Sequence, residues 1–146
     1  MCIRDSFYLR ALLEADTLFH AVDLMTEETF AKAQAILAQF DLALESGTQI
    51  EHWAELNHSF HATLYQAANR PQALDLIAQI NLSCDRYVRF ELLFAQGGVD
   101  KAEREHAHLL ELCSARRKHE AVVLLKQHIE AAGQSIRQIL ASGHNQ

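Results

Sequence analysis

Proline and glycine are scarce in this chain, with one Pro and five Gly in 146 residues. So few breakers leave little room for a turn-dense β architecture or for low-complexity linkers. Cysteine is equally sparse. Cys2, Cys84 and Cys113 are far apart and form no C-x-x-C pair, which excludes a disulfide framework and a thiolate metal knuckle and reads as free thiols in a reducing compartment. No apolar run approaches the roughly 20 residues of a membrane span, and no signal-peptide pattern opens the chain. Basic charge is also missing as a surface feature. The formal charge is −6, and the nearest thing to a basic cluster, Arg116-Arg117-Lys118, reads as a solvated turn, so the residues present make a poor nucleic-acid binder. These absences together describe a soluble, cytoplasmic domain.

Helix-forming composition remains. Hydrophobic residues make up 49% of the chain, with abundant Ala, Leu, Glu and Gln. The length suits one domain with a full core. The expected fold is all-α, a single antiparallel bundle of about six helices joined by short connections.

The first helix is expected from Phe7 to Val22, with Leu9, Leu12, Leu13 and Leu18/Phe19 on its apolar side. Thr26 is the N-cap of a second, which carries Glu27 and Glu28 in its first turn and runs to Glu45 before Ser46-Gly47. The third covers Ile50 to Ala68, with Asn69 suited to a left-handed C-cap. Pro71 opens the fourth, which reaches Ala95 and stops at Gln96-Gly97-Gly98. The fifth covers Val99 to Ala115, and a polar turn from Arg116 to His119 leads into a sixth that ends near Ser142, leaving 143–146 as a frayed tail. The opening MCIRDS reads as a processing scar, because its coding string ATG-TGT-ATA-AGA-GAC-AG plus one base resembles the end of a transposon adapter used in sequencing libraries. On that expectation residues 1–6 stand outside the domain, and the reading frame begins inside a longer gene.

Polar residues inside the apolar stripes carry the functional signal. On the third helix the stripe passes through Trp53, Leu56, Phe60, Leu64 and Ala67/Ala68, and Asn57 and His61 lie on the same side. Their i,i+4 spacing places them about 40° apart around the axis. His106 falls in the middle of the stripe Ala102, Leu109, Leu110 and Cys113. His128 falls in the middle of Ala121, Leu125, Ala132 and Ile136. The other six histidines (His20, His52, His58, His108, His119 and His144) lie off the stripes or near helix ends and are expected to be solvated or locally hydrogen-bonded.

A single core histidine usually donates to a backbone carbonyl or a neighbouring hydroxyl. Three imidazoles and one amide from three helices instead suit a first-row transition metal with vacant positions for water or a ligand.

The same stretches resemble a known family. N-H-S-F-H-A-T-L-Y-Q-A-A-N at 57–69 is similar to the D-x-x-F-H-x-x-L-x-x-A-x-x-N signature of the FCD domain, the C-terminal ligand-binding module of FadR-subfamily GntR transcription regulators. E-H-A-H-L-L-E-L-C at 105–113 is similar to its E-H-x-x-I-L-x-A, A-V-V-L-L-K-Q-H-I at 121–129 to its A-x-x-x-x-x-x-H-I, and L-R-A-L-L-E to its opening helix. The resemblance covers roughly residues 7–140 of a domain expected at 7–142, and six helices resemble the VanR branch more than the seven-helix FadR branch.

The resemblance implies a divalent metal, zinc foremost with nickel or manganese as alternatives, held at the positions of Asn57, His61, His106 and His128. Asn57 departs from the pattern by standing where Asp is usual, which removes a charge and implies weaker metal binding. The resemblance further implies a small carboxylate effector, taken by the metal together with Arg89, Arg86, Arg10 and Tyr87, a homodimer, and DNA binding only through a winged helix-turn-helix domain that this chain does not contain. It implies no catalysis. Two rival readings stay open on the residues alone. Glu55-x-x-His58 and Glu103-x-x-His106, with Glu14 and Glu91, could build a di-iron carboxylate oxidoreductase; a metal-free helical dimerisation domain needs no site at all.

Overall fold

The structure, a computed structural model, describes residues 2–45, 50–95 and 97–143. Among them are six α-helices and no strand: α1 (Ile3–Val22), α2 (Glu27–Glu45), α3 (Ile50–Gln66), α4 (Pro71–Phe94), α5 (Gly98–Ser114) and α6 (Lys118–Gly143). None of these helices is long and apolar enough to cross a membrane. The expected stop of the second helix at Ser46-Gly47 and the frayed tail beyond Gly143 lie outside the described residues.

Local chemistry accounts for the boundaries. Thr26 Oγ1 accepts from the Thr29 backbone N–H (3.4 Å) while Thr29 Oγ1 accepts from the Thr26 N–H (3.2 Å), a reciprocal cap at the start of α2. Asn69 takes φ 52° after α3, and Pro71 occupies the first turn of α4. Gly97 turns the chain into α5 at φ 68°, a region that L side chains enter at a cost. α5 ends in a Schellman motif, in which the Arg117 N–H bonds Leu112 O (2.9 Å) and the Arg116 N–H bonds Cys113 O (3.0 Å). Arg116 holds the left-handed position at φ 60°, where glycine is usual.

The turn from Arg116 to Lys118 is therefore more than a solvated loop. The Arg116 guanidinium donates to Val22 O (2.5 Å) and Met25 O (2.8 Å) and lies over the Phe30 ring. Lys118 pairs with Asp23 and lies over Phe19. Both cations serve groups at and just beyond the C-terminal end of α1, where positive charge is favoured by the helix dipole.

α1 packs against α6, α4 and α3, while α2 packs against α3 and α5. The core is built from Phe7, Leu18, Phe40, Phe60, Leu64, Leu125, Ile129 and Ile136, with Tyr65 among the fully buried side chains. At Gly133 a Cβ would sit 2.9 Å from Phe7 Cγ, so α6 approaches α1 where its own side chain is absent.

Two helices are rotated relative to expectation. On α1 the buried face is Phe7, Ala11, Ala15, Leu18 and Val22, with Arg10, Glu14 and Thr17, whereas Leu9 and Leu12 face outward. The small residues of α1 allow close packing on α6, and this outweighs the burial of two leucines. The helix also begins at Ile3 rather than Phe7, with Ser6 buried. On α6 the buried line is Ala121, Leu125, Ile129, Gly133 and Ile136, which leaves His128 at the edge of the buried face and not at its middle.

Candidate metal centre and ligand cavity

Three helices bring His61, His106 and His128 together, with a ligating atom of each within 4.8 Å of the others. His61 Nε2 and His106 Nε2 are 3.1 Å apart. Phe40 and Trp53 stack against the His106 ring, and Phe60 packs at a tilt, so that imidazole is enclosed by apolar walls on its far side. His106 is 1% exposed, and its Nδ1 has no hydrogen-bond partner.

Burial pushes the His61 imidazole well below its ordinary range, and the nearby His106, His128 and Arg10 push in the same direction. His106 is lowered well below its range too, by burial first and then by His128. Both rings are consequently neutral near pH 7, and each keeps a lone pair for a cation.

A buried relay fixes which nitrogen of His61 carries its proton. Arg10 Nε donates to Glu14 Oε2 (2.9 Å), and the Tyr65 hydroxyl donates to Glu14 Oε1 (3.0 Å). Burial, reinforced by Glu14, raises the Tyr65 phenol well above its ordinary range, so it stays protonated. Its single proton is committed to Glu14, so its oxygen is left to accept from His61 Nδ1 at 3.5 Å. That arrangement turns the His61 Nε2 lone pair toward the other two rings.

The donors fit a divalent transition metal. Three imidazoles from three helices offer ligating atoms within 4.8 Å of one another, and the 3.1 Å separation of His61 Nε2 and His106 Nε2 is one that two ligands of a single ion could span. Zn–N bonds are about 2.0–2.1 Å long, which puts two nitrogens on one ion about 3 Å apart.

Beside the cluster lies a cavity of about 430 Å³, lined by Arg10, Glu14, Asn57, His58, His61 and Tyr65 together with the α4 side chains Leu74, Ile77, Asn81 and Leu82. Asn57 is 8% exposed and forms part of this wall one turn before His61.

Of the four side chains expected to meet an effector, Arg10 alone lines this cavity, where it is 7% exposed. Arg89 pairs with Asp85 (2.8 Å), its i−4 neighbour on α4. Asp85 also meets His58 Nε2 (3.2 Å), which places Arg89 behind the rim. Arg86 is exposed and bonds the Tyr87 hydroxyl (2.6 Å) while lying over that ring, so these two satisfy one another.

The carboxylates of the di-iron reading do not converge. Glu55 is exposed and pairs with His52, Glu14 is engaged by Arg10 and Tyr65, and Glu91 lines a different recess. Glu14, Tyr65, His58 and Asn81 were not singled out as cavity residues from the sequence. Tyr65 and Glu14 were legible in part, since they lie four residues after His61 and Arg10 on the same helix faces.

The family model for the FCD domain matches residues 5–131. The HTH-type transcriptional repressor RspR of Escherichia coli (strain K12) is 26% identical over 140 residues, which is 94% of this chain and 59% of that protein. An HTH-type transcriptional regulator, YdfH, of Shigella flexneri shows the same identity and coverage. Among solved structures, a GntR-family transcriptional regulator from Pseudomonas syringae pv. tomato str. DC3000 superposes with a TM-score of 0.77 at 26% identity, over 96% of this chain and 57% of its own. E. coli McbR/YncC superposes at 0.83 with 19% identity over 94% of this chain and 65% of its own, which shows a shared fold. The chain spans about three-fifths of the length of the curated relatives it matches.

Proposed function

This chain belongs to the FCD domain family, and from that premise we propose that it is the effector-sensing domain of a GntR-type transcription regulator. Its matched relatives are transcription regulators rather than enzymes. The observation that carries the proposal is the convergence of His61, His106 and His128 beside a cavity whose wall holds the buried Arg10.

In this reading His61, His106 and His128 hold one divalent metal, and the Asn57 side-chain oxygen completes the protein donors. The neutral donor set suits zinc, with nickel or manganese as alternatives. A bound ion would supply a Lewis-acidic post for one oxygen of a small carboxylate. Arg10 offers its remaining guanidinium N–H groups to that carboxylate, while Glu14 keeps the fork oriented. Arg89 acts at one remove, by holding Asp85 against the rim residue His58. Arg86 and Tyr87 contribute only if the Arg86–Tyr87 pair opens toward the ligand.

Binding draws α1, α3, α5 and α6 toward a common ligand, because the contacting side chains come from all four. A shift in their packing is the signal passed to a DNA-binding unit of the kind that the HTH-type names of the relatives describe. The regulator acts in the cytoplasm as a homodimer.

The test is a thermal-shift screen of hydroxy acids, dicarboxylates, sugar acids and aromatic acids, each with and without added Zn²⁺, alongside metal analysis of the purified protein. Near one metal per chain and a carboxylate stabilisation that depends on metal support the reading. Stabilisation that is unchanged by chelators and by His61→Ala overturns it.

A further inference from the structure

Glu105 precedes His106 on α5, yet the two side chains serve different neighbours. Adjacent helical residues point about 100° apart. His106 faces the interior, while the Glu105 carboxylate turns toward α6 and bonds His128 Nδ1. Its other oxygen lies 3.7 Å from Lys101 Nζ, one turn earlier on α5.

The contact determines which face of His128 is available. A carboxylate oxygen accepts in this contact, which places a proton on His128 Nδ1. In the neutral ring the other nitrogen then has its lone pair for the cluster with His61 and His106. Free imidazole side chains favour the opposite tautomer, with the proton on Nε2. Because His128 sits at the edge of the buried face of α6, packing alone holds its ring less firmly than it holds His106. Charge matters as well. Asn57 brings none to the centre, and the Glu14 carboxylate is already matched by Arg10.

We propose that Glu105 is the positioning residue of the metal centre: it holds His128 in the Nδ1–H tautomer and supplies, through that imidazole, the negative charge that Asn57 lacks. Carboxylate partners of this kind make a ligating imidazole more basic and fix its orientation. The inference rests on the metal reading above, and it assigns a role to a residue outside the ligand set.

Two substitutions separate orientation from charge. Glu105→Gln keeps an oxygen that can accept from Nδ1–H but removes the charge; Glu105→Ala removes both. Long-range ¹H–¹⁵N spectra of the metal-free protein report the His128 tautomer, and competition with a chromophoric chelator reports Zn²⁺ affinity. Wild type is expected to show Nδ1–H. Glu105→Gln should retain that tautomer with about tenfold weaker Zn²⁺ binding, and Glu105→Ala should release it to Nε2–H with a loss nearer 100-fold. Adding Asn57→Asp to Glu105→Gln should restore part of the lost affinity. Should Glu105→Ala not fold, the near-isosteric Glu105→Gln decides on its own, by tautomer and affinity together.

A wild-type protein that takes up no Zn²⁺ overturns both the metal reading and this role. Tight Zn²⁺ binding that neither variant weakens, or an Nε2–H His128 in the free wild type, overturns the role of Glu105 and leaves the metal reading standing.

Discussion

At the junction of α1 with the α5–α6 turn, Arg116 gives guanidinium N–H groups to Val22 O and Met25 O, and Lys118 closes on Asp23. At the histidine centre, His61 and His106 share one N···N contact, His106 Nδ1 has no partner, and the surrounding rings are apolar. The first cluster satisfies itself with protein groups, so it can be complete with nothing added. The second leaves His106 Nδ1 without a protein partner and gathers three imidazoles that, in the reading proposed above, share one cation. That contrast separates a polar cluster that joins helices from one proposed to bind a ligand.

The contrast can be broken most severely by His61→Ala. Bound metal measured by plasma mass spectrometry should fall from near one per chain to near zero, while the helical signal by circular dichroism persists. Equal metal content in the variant would remove His61 from the ligand set.

Acid comes next. Both His61 and His106 are held below the ordinary imidazole value of 6.5, so in the metal-free protein the unfolded chain takes up protons first as pH falls. Their stabilising contribution is complete above about pH 6.5 and is lost as pH falls toward the depressed folded values, at up to about 1.4 kcal/mol per pH unit for each group. Urea unfolding at pH 7, 6 and 5 should show stability declining, and saturating Zn²⁺ should raise stability at each pH without removing the decline, because bound metal also keeps the folded rings unprotonated. A flat profile would mean that the two rings are not buried as neutral groups.

Arg116→Ala examines the self-satisfied cluster. It should destabilise the fold by about 1.5–3 kcal/mol, the range for hydrogen bonds to a charged group, and leave Zn²⁺ affinity unchanged. Arg116→Gly should recover about 1 kcal/mol of this, because glycine accepts φ near 60° without strain. A change in metal affinity with either variant would mean that the two clusters are coupled.

The smallest expected effect is that of Asn57→Asp, which should tighten Zn²⁺ binding by about tenfold, read by chelator competition. Unchanged affinity would place Asn57 on the cavity wall only.

Helix identity and helix ends were legible in the sequence because they depend on neighbours a few residues away. Thr26, Asn69, Pro71 and Gly97 act through turn and cap geometry that needs no tertiary partner. The inward aim of His61 and His106 was legible for the same reason, since each falls within a 3.6-residue stripe. Helix rotation was less so. Counting leucines placed Leu9 and Leu12 inside, whereas α1 buries alanines and Phe7 against Gly133 of α6. A stripe with apolar residues on two sides has no unique phase until a neighbour covers one of them. The family resemblance named Arg89 and Arg10 alike, but an i−4 acid engages Arg89 on α4 while Arg10 lines the cavity.

The sequence by itself determined an all-helical chain, its capped boundaries and a set of imidazoles directed inward, because local propensity and periodicity are written within single helices. Only the tertiary structure decided which nitrogens face one another. Glu105 and His128 are 23 residues apart, His61 and His106 are 45, and Glu14 and Tyr65 are 51. Hydrogen bonds over such separations depend on the rotation and depth of whole helices against each other, and packing sets both.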